Sequence, residues 1–552
     1  MKLNEKLLRI VVFITILIPL GFGRIATPVA LGQTATLGGQ ITDEDTGIPL
    51  PNVTVTLGER ITYTDNDGNF EFTDITPLGS YLFTATASNY EDYGERITIS
   101  EGDNLKNLSL RSTGIYNGDA GIEYNVTITN PETGYAHINA IFKPDPFPLP
   151  SEPIRLVLKW RQTPGISNLL VTNENGDPLT FELFDDYTIG TSTLEIDGSN
   201  ATSLTIEYDY LYRSMDDPEH YHAYICDSYA VFETMYHILF FGDINVGESS
   251  AVRFNLPPGW VRVTPWERIG DCFVNPVVGE IEYAAPGVGR FELHRESVGN
   301  SEFIIGIHEN ANDFVPDPVN WPVNIQNVLR IMEAADSLLH YEQRKSVVIG
   351  IPPLGPNETA EDSTYMPASN FPWGISTVML KNYSWWETSP EWIGRGLIDY
   401  LSEIVYYEAG VWSGETYKGN LDYRKNVYYS DVYNTVYDLP IPDLESQSDP
   451  AYETAKYAKY HLFFYLLDYE IRRVTTKNVI DALHYWMQNL ITPYTDAELL
   501  QALNDFTGND FTQFFNRYFY GTDRFPELAW DYTMGDPSIA NPIYLPIVLR
   551  GN

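Results

Sequence analysis

The apolar residues of this chain change their spacing once, and that change limits what the chain can fold into. From residue 36 to about 312 they recur at every second position in short runs, as in IEYNVTITN, IRLVLKW (154–160), SLTIEYDYLY and SAVRFNLPPGW. Alternation of that kind lets a strand bury one face and wet the other. From about residue 313 the spacing becomes helical. NVLRIMEAADSLLHYEQ (327–343) sets Val328, Leu329, Ile331, Met332, Ala335, Leu338 and Leu339 along one helical face. A chain of 552 residues is also too long for one core, and about three to four domains are expected. The fold class is therefore multidomain, β first and then α+β.

The segments follow from local signals. Residues 1–32 read as a signal peptide: Lys2, Lys6 and Arg9 precede an apolar run from Ile10 to Phe22, and Ala30-Leu31-Gly32 offers small residues for cleavage. The run is too short, and too interrupted by Pro19, to span a bilayer comfortably. Secretion or cell-surface placement is the expectation, with no transmembrane span after cleavage. Residues 36–112 read as a small β-sandwich, 113–312 as a larger β-sheet domain, 313–530 as a mainly helical domain and 531–552 as a C-terminal tail. In the helical part, Ser389-Pro390-Glu391 is a start signal for the apolar face that begins at Trp392. Further helices are predicted near 452–473, 478–490 and 496–506, the last opened by a capping box of Thr495 with Glu498 and closed by Gly508.

With 75 acidic against 34 basic residues, the formal charge is −41. Nucleic acid is excluded as a partner, because its affinity comes from neutralised phosphates. Cys226 and Cys272 are the two cysteines. In an exported chain they read either as a disulfide or as two buried thiols.

The module at 36–112 carries Gly39, Asp43 and Gly47, then PLPNVTV (49–55), TDNDGNF (64–70), and Gly79-Ser80-Tyr81 ahead of Tyr90. It resembles the carboxypeptidase regulatory-like domain, which implies a transthyretin-like β-sandwich without catalytic residues. Asp65 and Asp67 read as an Asp-Gly hairpin turn, with a calcium loop as the alternative.

The rest resembles a gluzincin metallopeptidase of the M61 or M1 aminopeptidase type. The resemblance rests on residues 206–242 and 255–266, PEWIGRGLIDYLSE, YAKYHLFFYLLDYEIRRVT (457–475) and residues 494–526. It implies a zinc ion held by His-Glu-x-x-His and by the Glu of W-x-x-E-G, with a tyrosine stabilising the transition state. The sequence departs from that pattern. Arg395, between Gly394 and Gly396, takes the position of the third ligand, and a guanidinium has donors only. The two registers that could hold the imidazoles contain Pro372 to Ser376 or Met379 to Tyr383, and neither holds a histidine. His308-Glu309-Asn310-Ala311-Asn312 is the nearest approach elsewhere, and His220 with His222 could share a strand face. Tyr457 matches the tyrosine of Y-x-K-G, but Tyr460 replaces its glycine.

No G-x-S-x-G elbow, P-loop or dinucleotide fingerprint stands in their place; Gly287-Val288-Gly289 reads as a turn between strands. The expectation is a pseudopeptidase that has lost its zinc and binds extracellular peptides, proteins or glycans. Arg395 would pair with an acid such as Glu387 or Asp399, and Trp373, Trp385 and Trp386, with Trp392, would lie near the cleft. The alternatives are an active zinc aminopeptidase with a non-standard site and a cell-surface structural or adhesive protein.

Overall fold

The computed structural model describes residues 34–526 except 119, 144–152, 160–164, 187–190, 198–200, 212–222, 233–240, 243–249, 276–285, 299–300, 311–325, 328, 336–344, 352–357, 360–362, 368–389, 391, 448 and 489–494. The leader, the tail, Glu387, the three tryptophans Trp373, Trp385 and Trp386, and the pair His220 and His222 lie outside the described residues.

The N-terminal module is two four-stranded sheets face to face. One joins strands Asn69–Ile75, Ala35–Asp43, Gly102–Leu105 and Leu108–Leu110, and the other joins Arg60–Tyr63, Thr54–Leu57, Gly79–Thr86 and Tyr93–Ile99. Alternate residues such as Leu37, Ile41, Val53, Val55, Phe70, Phe72 and Phe83 meet between them in one apolar core. The Asp65 turn closes on itself, its Oδ1 accepting the backbone N–H groups of Asp67 and Asn69 at 2.9 and 2.8 Å. The carboxylate thus serves the hairpin, as expected for Asx-type turns.

A seven-stranded sheet follows, running in space from Ile166–Asn173 through Leu204–Leu211, Tyr135–Phe142, Ile122–Thr127, Ser250–Asn255 and Cys272–Asn275 to Glu267–Ile269. Its inner face shares a core with the sheet that contains Ile154–Lys159 and Thr191–Ile196. Gly287–Gly289, expected as a turn, is a short strand between Tyr229–Phe232 and Val261–Val263. Glycine is needed there because a Cβ on Gly289 would lie 2.6 Å from the Cβ of Tyr229. Cys226 and Cys272 are free thiols here, packed in separate apolar clusters.

A five-stranded sheet then draws on both sides of residue 312: Ser301–His308 pairs in parallel with Lys345–Ile351, which pairs in parallel with Ser363–Pro367. The helical part packs beside it in a single large core. Among the described residues its helices include α1 (Ile398–Glu408), α2 (Gly414–Val427), α3 (Ile441–Glu445), α4 (Glu453–Val474), α5 (Val479–Gln488), α6 (Asp496–Thr507) and α7 (Thr512–Tyr518), and helical residues at 329–335 add Ile331, Met332 and Ala335 to the core. The capping box of Thr495 and Glu498 and the left-handed Gly508 bound α6 as the sequence predicts. Among the described residues no helix is long and apolar enough to cross a membrane.

The module is docked on the second domain by a buried ion cluster. Asp92 accepts from Arg262 Nη1 at 2.9 and 3.1 Å, from the Arg262 backbone N–H at 2.9 Å and from Arg268 Nη1 at 2.8 Å. Gly94 approaches the Phe291 carbonyl so closely that a Cβ would lie 2.3 Å from its oxygen. Burial alone would raise the Asp92 pKa, but the two guanidiniums outweigh it and hold the carboxyl below its ordinary value. Asp92 therefore adds stability above the unfolded carboxylate pKa of about 4, and the contribution disappears as pH falls through the lower folded value. Asp92→Asn should lower unfolding free energy at pH 7 by about 3–5 kcal/mol, the usual cost of breaking a buried pair. In paired denaturant titrations, the difference from the native chain should narrow below about pH 4; an equal difference at pH 7 and pH 3 would contradict this account.

Candidate functional site

Trp392–Leu397 is a turn of π-helix that runs directly into α1. Such widened turns carry one residue more per hydrogen-bonded ring than an α-helix and are frequent at functional sites. Gly396, the glycine of the family-like segment, lies where α4 crosses: a Cβ would be 2.6 Å from the Tyr460 Cβ and 2.8 Å from its carbonyl carbon. Tyr460, where the resembled family keeps glycine, is buried against this crossing. Trp392 is core, its ring stacked on Phe464 at 5.7 Å and edge-on to Phe519 at 4.8 Å. It does not form a wall of the cleft.

Asp399 and Glu403 stand one turn apart on α1 and meet a single guanidinium from α2. Arg424 Nε donates to Glu403 Oε1 at 3.1 Å, and Nη1 donates to Asp399 Oδ2 and to the Tyr457 carbonyl, both at 3.3 Å. The guanidinium carbon lies 4.1 Å from the centre of the Tyr457 ring, a cation–π contact that strengthens as water is removed. One turn on from Tyr457, His461 places Nε2 3.2 Å from Glu403 Oε2. Asp399, expected as an acid for Arg395, is thus engaged by Arg424.

Burial separates the protonation behaviour of these groups. It pushes the Asp399 carboxyl up, against the pull of Arg424. It also works to raise Glu403, but His461 and Arg424 together hold that carboxyl below its usual range. The His461 imidazole is driven down, first by burial and then by the Arg424 charge, and is neutral near pH 7.

This network forms one side of a cavity of 950 Å³. Its aromatic lining comes from Tyr406, Trp412, Tyr423, Tyr457 and Tyr460, and Asp431, Glu453 and Lys456 add charge. Tyr457 faces this space with 42% of its surface exposed. Lys459 points away and is fully buried, its Nζ donating to Asp438 Oδ1 at 2.8 Å and to the Leu439 carbonyl at 2.6 Å. The lysine of the tyrosine motif therefore ties the 433–440 loop to α4.

The sequence analysis missed α2, Arg424 and His461. Gly419 and a mostly polar face conceal α2, although Ser413, whose side chain accepts from the Thr416 backbone, was a readable start signal. Asp399 and Glu403, spaced one helical turn apart beside apolar residues, were a second overlooked signal.

A zinc ion does not fit the donors on view. Among the described residues no group of three or more His, Cys, Asp or Glu is placed to hold a metal. The Asp399 and Glu403 carboxylates are already bound to a cation, and the position that the resemblance assigns to a third ligand holds Arg395. His308 stands apart, buried at the end of its strand against Tyr229 and Phe291. Burial lowers its pKa to about 4, which makes it a neutral core imidazole at pH 7.

Comparison with known proteins agrees with this layout. Residues 36–111 match the model of the carboxypeptidase regulatory-like domain. No curated protein matches the chain in sequence. Among solved structures, an aminopeptidase N family protein from Idiomarina loihiensis superposes with a TM-score of 0.61 at 11% identity, over 74% of this chain and 77% of that one. A glutamate-to-alanine variant of the M1 zinc metallopeptidase from Deinococcus radiodurans, bound to a Tyr-Ser-Ala substrate, gives 0.48 at 12%, over 73% and 94%. Yeast LTA4 hydrolase with bestatin gives 0.45 at 10%, over 73% and 68%. The first of these shows that about three quarters of this chain shares its fold with an aminopeptidase N family protein.

Arg424→Met would strand two buried carboxylates, and it should cost about 3–5 kcal/mol at pH 7. That cost should shrink toward pH 4, where the carboxyls stranded in the variant take up protons. Asp399→Asn should stay within about 1 kcal/mol, because the acid it removes is the one burial opposes. It should also reduce the loss of stability seen on raising pH, since a raised carboxyl pKa contributes only below its folded value. Urea unfolding of both variants at three pH values checks this, and a pH-independent cost for Arg424→Met would contradict it.

Proposed function

We propose that this chain is an exported pseudopeptidase: an aminopeptidase-like scaffold that has given up zinc and uses its cleft to bind an extracellular peptide, protein or glycan. The observation that carries the reading is Arg424, a cation bound to both carboxylates of the cleft helix. Hydrolysis by the mechanism the resemblance implies needs a deprotonated ligand set that makes bound water acidic. Here the sequence supplies Arg395 for the carboxylate and no imidazole in either register, at 372–376 or 379–383. Tyr457 is retained with its ring against Arg424, and one phenol is not a catalytic apparatus. The cavity remains large enough for several residues of a ligand, and its aromatic walls suit extended chains. Export rests on the basic and apolar leader with its small-residue end. The module is read as a spacer or binding appendage.

The test is hydrolysis of a panel of aminoacyl fluorogenic amides by the purified chain, with added zinc and with chelator. The rate should equal that of buffer, and Arg395→Glu should not raise it, because two imidazoles are still missing. Chelator-sensitive turnover by the native chain would overturn the reading.

A further inference from the structure

A second cavity, of 590 Å³, lies where the module meets the seven-stranded sheet, on elements separate from the helical cleft. Its lining is mainly polar: Thr54, Thr86 and Ser88 from the module face Thr127, Thr129 and Asn255 from the sheet. A smaller hollow of 310 Å³ shares Thr127 and Thr129 and extends past Tyr135, His137 and Asp209. The two form one groove along the outer face of the sheet.

One wall of that groove is basic. Arg262 lines it and shares the single Asp92 carboxylate with Arg268. Arg253 also lines it, and its Nε is buried without a hydrogen-bond partner. Beside Arg253 is the Cys272 thiol, whose pKa burial pushes up so that it stays neutral. Asp271 is the acid of the lining, and one of its oxygens accepts the Asn89 amide at 3.1 Å. Asp209, the acid of the smaller hollow, is taken up by His137 at 2.9 Å and by Asn168 at 2.6 Å. Among the described residues no carboxylate forms an ion pair with Arg253.

We infer that this groove binds an acidic saccharide, with sugar hydroxyls meeting the threonine, serine and asparagine side chains and a carboxylate meeting Arg253. Hydroxyls and amides both donate and accept, as sugar rings require, and Pro257 and Pro258 offer flat apolar surface for their C–H faces. A guanidinium recognises a carboxylate with paired donors. An extended peptide would need apolar pockets for alternate side chains, and this lining supplies hydroxyls in their place. Because both walls of the groove are needed, the site exists only while the Asp92 cluster keeps the module docked.

Isothermal titration of the full chain with trigalacturonate, and with neutral galactotriose as its uncharged counterpart, tests the assignment. Trigalacturonate should bind about tenfold more tightly, the effect of one charge-assisted contact. Arg253→Gln should erase that preference, and Arg253→Lys should keep part of it. Thr127→Val, which removes a hydroxyl at nearly constant volume, should weaken both sugars about threefold, a one-hydrogen-bond loss. Melting curves report whether each variant folds, and Thr127→Val provides the test if Arg253→Gln does not. Binding of neither sugar, a preference that survives Arg253→Gln, or displacement of trigalacturonate by equimolar acetate would each overturn the assignment.

Discussion

The contact between Arg424 and the two acids of α1 organises the helical half of this protein. It joins α1, α2 and α4, since the same guanidinium reaches Asp399, Glu403 and the Tyr457 carbonyl. A buried pair of carboxylates without it would be among the most costly features a core can hold. With it, Glu403 stays ionised, His461 stays neutral and the floor of the cavity is fixed. The cation lies beside the cavity as a permanent part of the chain. The pseudopeptidase reading follows from that placement together with Arg395 at the position that the resemblance assigns to a third ligand.

The β half was largely legible because alternation states directly which side of a strand is buried. Ile122, Tyr124 and Val126, or Leu204, Ile206, Tyr208 and Tyr210, point inward as their spacing demands. The α6 boundaries were legible for a similar reason: a cap is a local event between residues three positions apart. The ion network was not. Arg424 is 21 residues from Glu403 in sequence and joins it only because α2 folds back across α1. Gly287–Gly289 misled because two glycines usually mark a turn, whereas here they admit the strand that begins at Tyr229. Likewise Trp392, an aromatic near the cleft in sequence, belongs to the core shared by Phe463, Phe464 and Phe519.

The two halves share a way of handling charge in an acidic molecule. At the module junction one carboxylate, Asp92, is buried between two arginines; in the helical half one arginine is buried between two carboxylates. Each cluster fixes a geometry between elements distant in sequence, and each lies beside a cavity. The junction cluster leaves a polar groove. The helical cluster leaves an aromatic cleft with acidic edges.

The measurement that bears most directly on the account is zinc content by elemental analysis, after loading the purified chain with zinc and dialysing it at neutral pH. The account predicts retention far below one zinc per chain, unchanged by Tyr457→Phe. Retention near one zinc per chain would contradict it, since ligands would then converge from parts of the sequence that show no metal-binding pattern.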